Sequence, residues 1–493
     1  MRIKFLSFIA SFFMVSFVIT SCLDDDNNIE YSPDATIHAF ALDTIGGYGV
    51  NYKFTIDQIK GLIYNEDSLP VHADTIINKI LIKTLTTASG VVTMPNKEGQ
   101  DSLINISDSI DLTKYINAPD KNDYLKLKVW TQDLQSNKEY CLSVRVHYLD
   151  PDTLNWGNGK DEKPAAFTKN FSNGNITGKQ RAVILDNNIL VYYMSGNVLN
   201  AYKTTVSDGK TWKEVDNIQG LPTITSFDLS SIIEYNGSLY MVADNQIYWS
   251  EDGVEWALHK LLNRNNLKFA TLLTAIQPDS ENPNNKKAGI SAIASMDNGL
   301  TYNFCMTNEN TNMWNIGEEL PADFPTRNIS STVGFSATNV PFIVSMGTII
   351  ARDDNEEDED EDEDEDDDEE EEEETPQPIV PWSSYDGLSW IDLSTSSAAY
   401  CPMLNSPSII AYNEEFYAFG NDFKVFYTSP SGITWKEASK KFYFPEELTK
   451  RAGANYSIVI DDNQFIWIIC SKDDTGSDEV WRGRLNKLGF DKK

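Results

Sequence analysis

Ser231-Ile232-Ile233-Glu234-Tyr235-Asn236-Gly237-Ser238-Leu239-Tyr240-Met241-Val242-Ala243-Asp244-Asn245-Gln246-Ile247-Tyr248-Trp249-Ser250-Glu251-Asp252-Gly253-Val254-Glu255-Trp256 is the stretch whose reading decides the fold. Its apolar runs are too short for helices, and Asn-Gly, Asp-Asn and Asp-Gly pairs separate them. Such pairs favour tight hairpins, because glycine takes positive φ without a Cβ penalty. The stretch therefore spells a meander. Strands fall at 231–235, 239–242 and 247–250, and a last turn leads to a fourth strand at Trp256.

The same grammar recurs along the chain. Trp212 follows Ser207-Asp208-Gly209-Lys210-Thr211, Trp390 follows Ser384-Tyr385-Asp386-Gly387-Leu388-Ser389, and Trp435 follows Ser431-Gly432-Ile433-Thr434. A degenerate copy over 308–314 ends at Trp314. Trp212 and Trp256 are 44 residues apart, and Trp390 and Trp435 are 45 apart. The intervening gaps of 58 and 76 each contain a polar insertion, at 278–287 and 353–374. A period of 40–50 residues with an aromatic signature at its end indicates propeller blades. A last unit, 457–485, lacks the outer strand, and Ala166-Phe167-Thr168-Lys169-Asn170-Phe171 is placed to supply it and close the ring. This predicts a β-propeller over 166–493 with six blades, five being the alternative count.

Upstream the grammar changes. Short apolar runs such as Gly90-Val91-Val92-Thr93-Met94 and Tyr124-Leu125-Lys126-Leu127-Lys128-Val129-Trp130 alternate with polar turns over 36–150. Several short strands in about 120 residues predict an antiparallel β-sandwich of immunoglobulin-like size. Asp150-Pro151-Asp152 breaks the pattern, so 151–165 reads as a linker. The fold class expected is all-β throughout.

The chain has 493 residues, 40 Lys plus Arg and 75 Asp plus Glu, and a net charge of −35. Twenty-one of the negative charges lie in the 22 positions from Asp353 to Glu374, without which the net charge is −14. No basic stripe offers itself to a phosphate backbone, so nucleic acid is not an expected partner. Like charges at that density repel, and 353–374 is expected to be a disordered insertion in one blade, able to hold Ca²⁺ loosely or to screen nearby cations. No other cofactor and no metal site is expected. Three of the four histidines, His38, His72 and His147, lie in the sandwich region and only His259 in the propeller, which excludes a multi-His zinc site. Cys141, Cys305, Cys401 and Cys470 have no C-x-x-C spacing and read as buried thiols.

Arg2 and Lys4 precede an apolar run over 5–19, which ends in Thr20-Ser21-Cys22. A basic start, an apolar run and small residues make a secretory signal over 1–21. The ending resembles a bacterial lipobox, which implies that Cys22 is lipidated and anchors the chain to a membrane. Leu23-Asp24-Asp25-Asp26 then begins an acidic tether over 22–35 and resembles the surface-export signal of Bacteroidota lipoproteins. Outer-membrane attachment facing the cell exterior is the localisation this implies.

The turns before the tryptophans resemble the Asp-box, S-x-D-x-G-x-T-W, of sialidases and related propellers. Thr205, Gly209, Thr211 and Trp212 fit it, while Ser207, Glu251, Tyr385 and Pro430 stand at the central Asp position. Asp-boxes are structural, so the resemblance implies fold rather than reaction. The whole arrangement resembles a family of Bacteroidota surface lipoproteins that join an N-terminal immunoglobulin-like domain to a C-terminal Asp-box or Kelch-like propeller. Sialidases grip a carboxylate with three arginines, since a guanidinium fork matches it bidentately. Here Arg181, Lys268, Arg327 and Arg451 precede the innermost strands of four units and are the candidate ligand-binding residues, expected to converge at the channel mouth. The Phe-Arg-Ile-Pro signature of sialidases is replaced by Gln180-Arg181-Ala182-Val183, and no Tyr–Glu nucleophile can be assigned. The expectation is a surface binding protein for a glycan or a protein, without catalysis. The alternatives are a sialidase-like hydrolase of an acidic sugar and a structural subunit of an outer-membrane assembly.

Overall fold

A computed structural model describes residues 31–43, 52–71, 73, 77–88, 90–96, 98–157, 163–225, 228–264, 266–278, 287–308, 313–348, 380–393, 401, 403–474 and 476–489. The signal segment, Cys22, most of the tether and the acidic run 353–374 lie outside these residues, as does His72. The chain divides into two compact units, 1–148 and 149–493.

The first unit is built from β1 (Ile37–Leu42), β2 (Phe54–Asp57), β3 (Leu62–Asn65), β4 (Ile82–Thr87), β5 (Val92–Pro95), β6 (Asp101–Leu103), β7 (Leu125–Trp130) and β8 (Asn137–Ser143). One sheet runs β2-β3-β8-β7-β5-β6 and a second pairs β1 with β4. In β7, Leu125, Leu127 and Val129 are buried and alternate with half-buried Lys126, Lys128 and Trp130, the signature of a strand with one face on a core. That core holds Ile37, Ile63, Leu127, Tyr140, Leu142 and Val144. The expected all-antiparallel pairing is not what forms. β3 lies parallel to β8, with Leu62 opposite Cys141 and Tyr64 opposite Ser143. Nothing in the local sequence signals the direction of a partner that is about 80 residues away.

The second unit is the propeller. Blade 1 is Gln180–Leu185, Asn188–Ser195, Val198–Thr205 and Lys213–Val215; blade 2 is Ile233–Tyr235, Ser238–Ala243, Gln246–Ser250 and Ala257–Leu258. Blade 3 starts at Lys268–Ile276, blade 4 at Arg327–Phe335, blade 5 at Ser408–Tyr412 and blade 6 at Tyr456–Ile460. In blades 1 to 5 the four strands pair in chain order, each antiparallel to the next. In blade 6 the third strand, Glu479–Leu485, takes its outer partner from the start of the unit: β10 (Thr168–Lys169) sets Thr168 opposite Val480. Ring closure by the 166–171 segment is thus as the sequence implied.

The expected linker 151–165 is corrected by the structure. Within it β9 (Leu154–Asn155) pairs with Arg484 and Leu485 on the same strand edge, and Trp156 is buried against Phe444. The Trp156 indole donates to the Tyr443 carbonyl at 2.7 Å. The segment belongs to the propeller because its apolar side chains complete a core between blades 5 and 6.

Each repeat tryptophan packs between its own blade and the one before. Trp212 joins Trp467 and Ile469 of blade 6, Trp256 joins Leu190 and Tyr192 of blade 1, and Trp314 joins Val242 and Ile247 of blade 2. Trp390 joins Phe304 of blade 3, and Trp435 joins Phe342 and Val344 of blade 4. The turns ahead of them are closed by local hydrogen bonds. Gly253 (φ 75°) donates its N–H to Ser250 Oγ, and Asp252 Oδ1 accepts the N–H groups of Val254 and Glu255. A Cβ on Gly253 would stand 2.6 Å from the Tyr192 hydroxyl of blade 1, so packing as well as φ demands glycine there.

Candidate functional site

The innermost strands follow one another round the ring. Neighbouring pairs are in contact from blade 1 to blade 5, Tyr456 of blade 6 donates to Ser408 Oγ of blade 5 at 2.8 Å, and Ser457 donates to the Gln180 carbonyl of blade 1 at 3.0 Å. The register fixes which end the sequence-predicted cations occupy. Arg181 stands opposite Tyr192, Lys268 opposite Ser295 and Arg327 opposite Thr348, each near the end of its blade where strand two turns into strand three. The 353–374 run follows Thr348 in the same connection.

The four cations do not share one environment. Lys268 and Arg327 are exposed at the first position of their strands, and no carboxylate among the described residues pairs with either. Arg181, one position deeper, is enclosed. Its Nε donates to the Ile232 carbonyl of blade 2 at 3.0 Å, and burial alone pulls its pKa down to about 10, with no charged neighbour contributing. The expected convergence of all four on one grip is therefore corrected: among the described residues no charged neighbour shifts the Arg181 pKa, and Arg451 lies elsewhere.

Arg451 is in a different position altogether. It is buried below the start of blade 6, where Nη1 meets Asp473 Oδ1 at 3.0 Å, Nη2 donates to the Ser471 carbonyl at 2.6 Å, and Nε lies 4.0 Å from Glu479 Oε2. Glu479 also pairs with Lys169 of the closing strand β10 at 3.2 Å. Arg451 is a structural cation that ties the last blade together, not a ligand residue. The reason is tertiary: Asp473 and Glu479 lie 22 and 28 residues away, on the far side of a hairpin.

One feature of this end went unread in the sequence. Ser295-Met296-Asp297-Asn298-Gly299-Leu300-Thr301-Tyr302 carries S-x-D-x-G-x-T in full, with Tyr302 in place of the tryptophan. It forms the same turn: Gly299 donates to Ser295 Oγ, and Leu300 and Thr301 donate to Asp297 Oδ1. The Thr301 N–H, then the Ser295 and Thr301 hydroxyls, hold the Asp297 carboxyl down at about 2. The turn joins strands two and three of blade 3 instead of three and four, which places it at the Lys268 end. The motif is complete in the sequence, but Tyr302 replaces the tryptophan that marks the other turns.

The thiols of Cys141, Cys305, Cys401 and Cys470 are buried and free, and burial pushes Cys305, Cys401 and Cys470 up to about 12. Such thiols are poor nucleophiles. His259 is half-buried against Tyr240 and Trp249, accepts from the Leu262 N–H, and has its pKa lowered by burial. Among the described residues no group of three His, Cys, Asp or Glu could hold a metal ion, and no helix is long and apolar enough to cross a membrane. The first unit has an open cleft of about 540 Å³ lined by Lys114, Tyr115, Asn122, Tyr124 and Lys126 among others.

Residues 150–493 match the model of the DUF6242 beta propeller domain, and residues 26–144 match that of the DUF6242 N-terminal domain, a domain of unknown function. The chain belongs to this family. A search of curated proteins gives no match for this DUF6242 chain. Among solved structures, it is similar to an alpha-L-arabinanase from Penicillium chrysogenum complexed with arabinobiose, at 14% identity and a TM-score of 0.34, over 62% of this chain and 93% of that one. It is also similar to a gluconolactonase from Xanthomonas campestris, at 9% identity and a TM-score of 0.37, over 63% and 87%. An endo-arabinase from Bacteroides thetaiotaomicron gives 9% identity and a TM-score of 0.29, over 65% and 97%. Scores of this size say nothing about a reaction of the DUF6242 propeller.

Proposed function

We propose that this protein is a lipid-anchored, cell-surface binding protein whose propeller takes an acidic glycan or an acidic protein surface at the end that carries Arg181, Lys268 and Arg327. One observation carries the reading: in a chain of net charge −35, these three cations at one end of the ring keep no carboxylate partner among the described residues. Ten other Lys and Arg residues pair with a carboxylate among the described residues, as Arg451 does with Asp473 and Lys128 with Asp101. Unspent cations are what an anionic partner needs, and their attraction falls with salt. Anchoring rests on the lipobox-like Thr20-Ser21-Cys22 sequence.

The test is a glycan array that includes heparin, polygalacturonate and sialylated chains, with a parallel pull-down of outer-membrane proteins, using the chain that begins at residue 23. Saturable binding that weakens at least tenfold between 50 and 300 mM salt, and again in a combined Lys268→Gln and Arg327→Gln variant, is the expected result. Binding indifferent to both salt and variant would overturn it. Turnover of any bound glycan would replace it with the hydrolase reading.

A further inference from the structure

Arg181 poses a physical problem. A guanidinium cannot discharge at neutral pH even with its pKa at about 10, so a full positive charge sits in a largely desolvated setting on a half-buried side chain. Desolvating a charge without a partner is unfavourable, and proteins compensate by pairing it. Yet no carboxylate among the described residues pairs with Arg181. Its one bond is Nε to the Ile232 carbonyl, an uncharged acceptor belonging to a fully buried residue.

That bond also sets a geometry. With Nε bonded to the blade 2 carbonyl, the Nη1 and Nη2 edge is left as a two-pronged donor. Neither terminal nitrogen bonds a described residue, and neither is among the sealed polar atoms that lack a partner, so both keep an opening. Arg181 lies on the innermost strand of blade 1, one position in from the end, and stays partly accessible although its charge is desolvated. A desolvated guanidinium whose two terminal nitrogens stay open is suited to receive an anion. Arg451 shows the contrast: it is more deeply buried, and its Nη atoms both have protein partners.

We propose that Arg181 is the receptor for a planar or tetrahedral oxyanion, a carboxylate or sulfate group of the ligand, bound end-on by Nη1 and Nη2 inside the channel mouth. This rests on the reading above and sharpens it. Lys268 and Arg327 attract acidic chains from outside, whereas Arg181 selects a terminal acid group small enough to enter. The desolvated setting strengthens each charge-assisted hydrogen bond relative to one at the surface. Lysine cannot replace the arginine, because a point charge lacks the fork.

The experiment titrates the chain that begins at residue 23 with sodium sulfate, sodium acetate or sodium D-glucuronate, replacing sodium chloride at constant ionic strength. Thermal unfolding and calorimetry are the readouts. The proposal expects saturable stabilisation by at least one of the three, weakened at least tenfold in Arg181→Gln and not restored in Arg181→Lys. If Arg181→Gln does not fold, the arginine Nε–H resonance of Arg181 in the unaltered chain serves instead, and it must shift along the same saturation curve. No saturable response to any of the anions, or one equal in Arg181→Gln, overturns the proposal. Loss of polymer binding with the small-anion response intact sinks the wider reading and leaves this one standing.

Discussion

Replacing Arg451 by methionine tests whether this arginine is structural. The substitution keeps most of the buried volume but removes the charge that faces buried Glu479 and half-buried Asp473, and takes that donor from the Ser471 carbonyl. Removing one partner of a buried ion pair costs about 3–5 kcal/mol. Lys169 still reaches Glu479 at 3.2 Å from an exposed position, which sets the expected loss near the lower end, at about 3 kcal/mol. At about 2 °C per kcal/mol for a large domain, the propeller transition should fall by about 6 °C in calorimetry. Adding Glu479→Gln should recover part of that loss, since the buried carboxylate that has lost Arg451 contributes to it. Arg327→Met is the control: exposed and unpaired, it should change stability by less than about 0.5 kcal/mol. An Arg451→Met protein as stable as the control, with ligand binding lost, would refute the structural assignment and restore the residue to the channel mouth.

Two further outcomes follow from the packing. Trp156→Ala should destabilise the propeller by about 3–5 kcal/mol, because it empties a buried site and strands the Tyr443 carbonyl; a loss under about 1 kcal/mol, measured by urea unfolding, would mean that 151–165 is a linker after all. Burial keeps the His259 pKa below its ordinary 6.5, so as pH falls the unfolded chain binds that proton first. Stability should therefore decline as pH drops from about 7 through 6.5 and below, with a shallower decline in His259→Gln; superimposable curves for the two proteins would remove His259 as the cause.

The tryptophan turns were readable because their chemistry is local. Ser250, Asp252 and Gly253 satisfy one another's backbone within four positions, so the motif and the structure are nearly the same object. The turn at 295–301 shows the limit of reading by an anchor residue: its hydrogen bonds are complete without a tryptophan. The cations were harder. Arg181, Lys268, Arg327 and Arg451 look alike in sequence, each ahead of an apolar strand, yet two are exposed, one is enclosed without an acid partner, and one is neutralised.

By itself the sequence determined the β class, the repeat, the tryptophan packing and the closure of the last blade by the 166–171 segment. These follow from alternation, turn residues and spacing, which act over a few bonds. Tertiary structure alone decided which charges remain free. It also decided that β3 runs parallel to β8 and that Trp156 belongs to the propeller. The partners in those cases lie far along the chain, up to 287 residues for the Trp156–Tyr443 bond. Whether an arginine meets a carboxylate there depends on how the ring closes, and no local pattern encodes that.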